Sequence, residues 1–242
     1  MRPLSVVLVG LALLAVAPAQ AFDADQLQRL LTTNRCVACD LSAADLPAAD
    51  LERAVLTDTV LANATLTGAN LNNAYLRGAR LAGANLVGAS LRGADIAGAN
   101  LTSVDLTAAN LGGASLRHAT LAGARLAGAG LHDADLGNAY MANANLTLAL
   151  LGNADLSGTD LRSADLTGAN LTSADLRNAI LSGATLVGAI LAGANLSNAD
   201  LSGADLTDAD LRFADASNLV LTGTVLCRTT MPDGTIASAG CP

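Results

Sequence analysis

Ala164-Asp165-Leu166-Thr167-Gly168-Ala169-Asn170-Leu171-Thr172-Ser173-Ala174-Asp175-Leu176-Arg177-Asn178 holds three copies of one five-residue phrase. The phrase runs through most of the chain. From Leu41 to Leu226 every fifth position can be read off with no insertion or deletion. Of these 38 positions 35 are Leu; Ile96, Met141 and Ala216 are the others. Two residues before each stands Ala, except at Cys39, Thr59, Val104, Thr159, Leu219 and Thr224. A fixed internal period outranks local propensity as a guide to fold.

An α-helix cannot use this period, because five residues advance the helix by about 140° per repeat and scatter the Leu around it. A long flat strand fails as well, since an odd period swaps faces at each repeat. The pattern works when each pentad is a short strand followed by a corner. Ala and Leu then point inward together, and the Asp or Asn between them points to water. Corner chemistry agrees. Gly68, Gly78, Gly83, Gly88, Gly93 and Gly98 recur at one phase, with Asn63, Asn73, Asn138 and Asn153 as variants. Gly and Asn tolerate the positive φ that the third residue of a type II turn requires.

These pentads, Ala164-Asp165-Leu166-Thr167-Gly168 and Ala204-Asp205-Leu206-Thr207-Asp208 among them, resemble the repeat of the pentapeptide-repeat family. The resemblance extends from about Cys39 to Leu226 and rests on an uncommonly long five-residue Leu period. It implies an all-β fold, a right-handed quadrilateral β-helix with twenty residues per coil. Thirty-eight pentads then make about nine and a half coils, a rod of roughly 45 Å at the usual strand spacing.

Composition fits a narrow interior. Apolar residues are 52% of the 242, yet aromatics are 2% and Trp is absent. Every basic residue is Arg, and 21 carboxylates outnumber the 13 Arg. Such a surface repels nucleic acid and anionic lipid, so neither is an expected partner.

Residues 1–21 read as a signal peptide. Arg2 precedes the apolar run Leu4 to Ala17, and Ala19-Gln20-Ala21 is an A-x-A cleavage site. The run is shorter than the ~20 residues a membrane span needs. Cleavage after Ala21 places the mature chain in the periplasm or outside the cell, with no span of its own. Residues 22–38 are then an N-terminal capping segment, 39–226 the β-helix and 227–242 a C-terminal cap. A short helix is expected over 24–34, capped by Asp23 or Asp25. Its stripe Leu27, Leu30 and Leu31 would cover the first coil or dock a partner, and covering is favoured because a solenoid end must be capped.

Four cysteines fall in two pairs. Cys36 and Cys39 form a C-x-x-C, which can be redox-active, a metal-ligand pair or a structural disulfide. No His follows Cys39, and zinc would need two further ligands. A structural pair is favoured. The family often has a similar Cys-x-x-Cys-Asp-Leu lead-in, as Cys36 to Leu41 does. Cys227 and Cys241 bracket Pro232-Asp233-Gly234, a turn signal. A disulfide there would tie the tail across the last coil, and similar tails occur in exported members of the family.

No constellation identifies a reaction. His118 and His132 are the only His, both expected in water, and a filled solenoid offers no deep cleft. No cofactor is expected. With residues twenty apart stacked, one face reads Val55, Tyr75, Asp95, Ser115, Asp135, Asp155, Asp175, Asn195 and Asp215. The acidic stripe, Asp95, Asp135, Asp155, Asp175 and Asp215, either hydrogen-bonds locally, helped by Arg117, Arg162 and Arg177, or binds cations. The former is favoured. Tyr140 and Ile180 on one face, and Leu150 and Ile190 on another with Leu148 at a corner, are the expected interaction surface. Its occupant is an unidentified protein or a second copy in a homodimer. The expected function is a non-enzymatic exported rod, structural or protein-binding. The alternative is an acidic DNA mimic that binds topoisomerases, as some members of the family do; the export signal argues against it.

Overall fold

A computed structural model describes residues 23–241; the signal-peptide reading lies outside the described residues. Each pentad makes one side of a coil, and four sides close it. Parallel bridges at a spacing of twenty run from Arg35 with Val55 to Asp210 with Thr230. The four faces carry the outward residues of Tyr75, Arg80, Asn85 and Ser90 and their equivalents in other coils.

The sides are shorter than the strands expected from the pattern. Each is a single bridged residue between two corners, because a five-residue period leaves no more room. The only strands of two residues among those described are β1 (Thr229–Thr230) and β2 (Ile236–Ala237), paired antiparallel in the tail.

All 39 corners from Ala38 to Arg228 carry their positive φ at one phase, between 52° and 69°. The residue before each corner is not in that region, which is the pattern of a type II turn. The turn closes by an i to i+3 bond, as when the Ala44 amide donates to the Leu41 carbonyl at 3.0 Å. Three ladder bonds per pentad run to the neighbouring coils. The Leu41 amide donates to Val60, the Ala43 amide to Ala62, and the Val60 amide back to Cys39, each at 2.8 Å. The outward Asp or Asn serves the amide left over. Asp165 Oδ1 accepts from the Thr167 amide at 3.0 Å and from its hydroxyl at 2.6 Å. The consensus Asp/Asn is thus a backbone partner of the corner, the Asx-turn role of these residues.

Inside, the Ala and Leu of every coil from Leu41 to Leu211 are buried, apart from the half-buried Ala49. Burying one Leu is worth about 1.5–3 kcal/mol, and the column repeats that gain every five residues. Where Ala is replaced by Thr the hydroxyl stays satisfied. Thr159 donates to Leu136 at 3.1 Å and Thr229 to Leu206 at 2.7 Å, and Thr59 donates to Cys36.

At the N-terminal end sits α1 (Ala24–Thr33), close to the expected range. Asp23 is its N-cap, accepting from the amides of Asp25 and Gln26. Leu30 is buried and Leu27 packs on the column, but Leu31 is 56% exposed. Leu31 therefore lies outside the lid. Three Leu at i, i+3 and i+4 spread wider than the narrow first coil can cover.

The two ends differ. The tail follows only two sides of the last coil: Leu226 donates to Ala239, and Phe213 to Pro232. Leu219, Leu221 and Leu226 remain half-buried. The tail does not cross the last coil as the sequence led one to expect. Its turn at Asp233-Gly234 folds it back along one edge instead.

Candidate functional site

Cys36 and Cys39 are bonded to each other, as are Cys227 and Cys241. Cys36 and Cys39 are buried beneath α1, with the Arg29 guanidinium laid against their sulfurs. Cys227 is buried and Cys241 exposed. The two pairs stand at opposite ends of the rod. Among the described residues no three His, Cys, Asp or Glu gather at metal-binding spacing.

The acidic stripe is assembled in register: Asp135 bridges Asp155, and Asp155 bridges Asp175. Arginines thread it. Arg117 reaches Asp135 at 3.2 Å and Asp155 at 3.8 Å, Arg77 lies 3.6 Å from Asp95, and Arg177 clasps Asp175. Asp215 accepts from the Ser217 amide and hydroxyl. Hydrogen bonds from Arg177 hold the Asp175 carboxyl below its ordinary value, and those from Ser217 do the same for Asp215. Arg162 is not part of this stripe. It pairs with Asp160 on the next face, two residues away, because a corner Arg folds back on the carboxylate of its own pentad. Arg212 repeats this with Asp210. The pattern D-x-R was the sequence signal for these pairs.

The apolar positions are exposed. Leu150 and Ile190 stand two coils apart on one face with Asn170 between them, and Leu148 is 67% exposed at the adjoining corner. Leu148 also lies over Gly168, whose missing side chain makes room for it: a Cβ there would be 2.8 Å from Leu148 Cδ2. Tyr140 and Ile180 lie on a second face, separated by Asp160. The two groups therefore do not form one patch. Phe213, 83% exposed at a corner near the C-terminal end, was not anticipated. Its signal was a bulky residue at the phase reserved for Gly and Asn.

His118 and His132 are both exposed, with no nucleophile bonded to either. An open hollow of about 430 Å³ is lined by Glu52, Asn72, Asn73, Arg92, Gly93 and Gly112. Asn72 is already committed there, accepting from Ser90 and from the Arg92 amide.

A filled four-sided coil with decorated faces defines a solenoid repeat protein, a class that works through its surface. The profile for pentapeptide repeats matches in eight copies, over residues 35–73, 69–107, 99–138, 129–168, 144–183, 169–208 and 204–233. The chain belongs to the pentapeptide-repeat family, whose fold is the right-handed quadrilateral β-helix. Among solved structures it is similar to HetL of the cyanobacterium Nostoc sp. strain PCC 7120, a protein involved in heterocyst differentiation regulation. Identity is 35%, covering 84% of this chain and 87% of that one, with a TM-score of 0.48. QnrB1, a plasmid-mediated fluoroquinolone resistance protein, is 22% identical over 75% of this chain and 89% of that one, with a TM-score of 0.45. A thylakoid-lumen member from Arabidopsis thaliana is 30% identical over 49% and 65%, with a TM-score of 0.13. Among curated proteins none matches.

Proposed function

We propose that this chain is an exported, non-enzymatic rod that presents its side faces to a protein partner. The observation that carries this reading is the contrast between a completely filled interior and a few large apolar side chains left in solvent. Leu148, Leu150 and Ile190 are the densest such group, and exposed apolar groups of this size mark contact surfaces. The two disulfides favour an oxidising compartment, in line with the leader read from the sequence. No helix among the described residues is long and apolar enough to cross a membrane. The acidic faces are already knitted by Arg and Ser, which favours solubility over cation capture.

The test has two arms. Fractionation with N-terminal sequencing is expected to find a chain beginning at Phe22 outside the cytoplasm. A cytoplasmic, unprocessed chain would remove the export claim and revive the DNA-mimic alternative. Leu150→Ser with Ile190→Ser is then expected to deplete specific proteins captured from the matching extract. An unchanged set of captured proteins would remove this surface.

A further inference from the structure

One face of the rod is almost free of charge. From Asn70 through Gly130 to Ile190 its outward residues are uncharged in seven consecutive coils. On the other three faces the longest such run is three, Asn100, Thr120 and Tyr140. The corners join in where the apolar groups stand: residues 147–153, 167–173 and 187–193 hold no Asp, Glu, Arg or His. A chain of net charge −8 repels its own copies on approach, and this band is where that repulsion is weakest.

The band is also self-complementary. Leu150 and Ile190 stand one coil to either side of Asn170. At one bordering corner, Leu148 and Gly188 stand one coil to either side of Gly168. Leu148 protrudes, whereas a Cβ built on Gly188 would meet nothing within 4 Å. At the other bordering corner, Asp133 and Arg212 lie two coils to either side of the Asn170 coil. Among the described residues Asp133 has no ion-pair partner, and Arg212 clasps Asp210.

We infer that this face packs on the same face of a second copy of the chain, the two rods lying antiparallel about a two-fold axis at Asn170. The axis lies in the contact plane and across the rods, so it reverses the order of coils and keeps each corner on its own side. Leu150 then meets Ile190 of the second copy, Leu148 fills the open space at its Gly188, and Asp133 faces its Arg212. Each contact occurs twice, the isologous pattern, and the pairing closes at two chains. The molecule exposes 11490 Å², so half of one face already exceeds the ~800 Å² per partner of a stable interface. This inference rests on the reading of Leu148, Leu150 and Ile190 as a contact surface and names what covers it.

Sedimentation velocity of the mature chain over a concentration series tests it. A reversible species of twice the monomer mass is expected. Asn170→Asp sets two carboxylates against each other on the axis and should weaken the dimer at least about tenfold. The fold tolerates this change, because Asp165 makes the same two bonds to Thr167 that Asn170 makes to Thr172. Asn100→Asp, the same change on the opposite face, should leave the dimer intact, and circular dichroism should be unchanged in both variants. Under mild oxidation, Leu150→Cys chains mixed with Ile190→Cys chains should form a disulfide-linked dimer. Neither should do so alone, since like positions stand two coils apart, about 10 Å, beyond disulfide reach. A chain monomeric at every concentration overturns the inference. If Leu150→Ser with Ile190→Ser still depletes captured proteins in that case, the surface stands with a different occupant. Equal weakening by Asn100→Asp, or a linked dimer from Leu150→Cys alone, overturns the antiparallel pair as well.

Discussion

Thr159 fills an inward position that nearly every other pentad gives to Ala. Its hydroxyl donates to the Leu136 carbonyl, which also accepts the Ala139 amide at 2.9 Å. Removing the hydroxyl leaves that carbonyl bonded, so Thr159→Ala should change stability by less than about 1 kcal/mol in a urea melt. Leu126→Asp is the opposite case, a carboxylate in the dry column with no partner. Cooperative unfolding should be lost or the melting temperature should collapse. Leu148 is held at φ 57°, a region that costs a non-glycine residue about 1 kcal/mol. Leu148→Gly should therefore raise stability by roughly that amount while removing one apolar contact residue. The inward Ala and Leu and the Gly or Asn corners were legible because steric demand dictates them. Leu148 was legible as a corner residue from the period alone; Phe213 was passed over, since ladder bonds hold the corner geometry whatever residue stands there.

At the scale of elements, the helical lid and the two cysteine pairs could be placed from spacing and capping chemistry, but their fit could not. The period of α1 showed an apolar stripe without showing how wide a strip the first coil accepts. Leu31 fell outside for that reason. The Pro232-Asp233-Gly234 turn was legible, yet the direction of the returning strand depends on which ladder groups it meets. Asp23→Ala should cost about 1 kcal/mol of cap stability, visible as early fraying of α1 in hydrogen exchange. The cysteines differ in access. Mild reductant followed by alkylation and mass spectrometry should open Cys227–Cys241 first, because Cys241 is exposed while Cys36 and Cys39 are buried. Loss of the outer bond frees a short loop, worth about 3 kcal/mol on the chain-entropy account.

Across the whole molecule the acidic excess is managed pairwise. Hydrogen bonds from Arg162, Arg177 and Arg212 hold the carboxyls of Asp160, Asp175 and Asp210 below the ordinary value of 3.8. In the unfolded chain these groups titrate near that value. Their contribution is complete above it and disappears as pH falls through the lower folded values. Melting temperature should thus be level from neutrality down to about pH 5 and fall below about pH 4. The pairs are solvent-exposed, so the fall is modest and shrinks in high salt. The rod itself was legible from one arithmetic fact, an unbroken period of five. Which faces would carry apolar groups followed from the four-sided coil; which of those groups cooperate did not, because Asn170 and Asp160 interrupt them.

The square cross-section with an unbroken phase has a consequence for length. Excising twenty consecutive residues from the middle removes one storey and leaves every later side chain at its former compass bearing. Excising five turns everything downstream through a quarter revolution, so that groups such as Ile190 would point at right angles to their former partners. The shaft can therefore be lengthened or shortened in whole storeys without redesign, whereas smaller changes rewire what faces what.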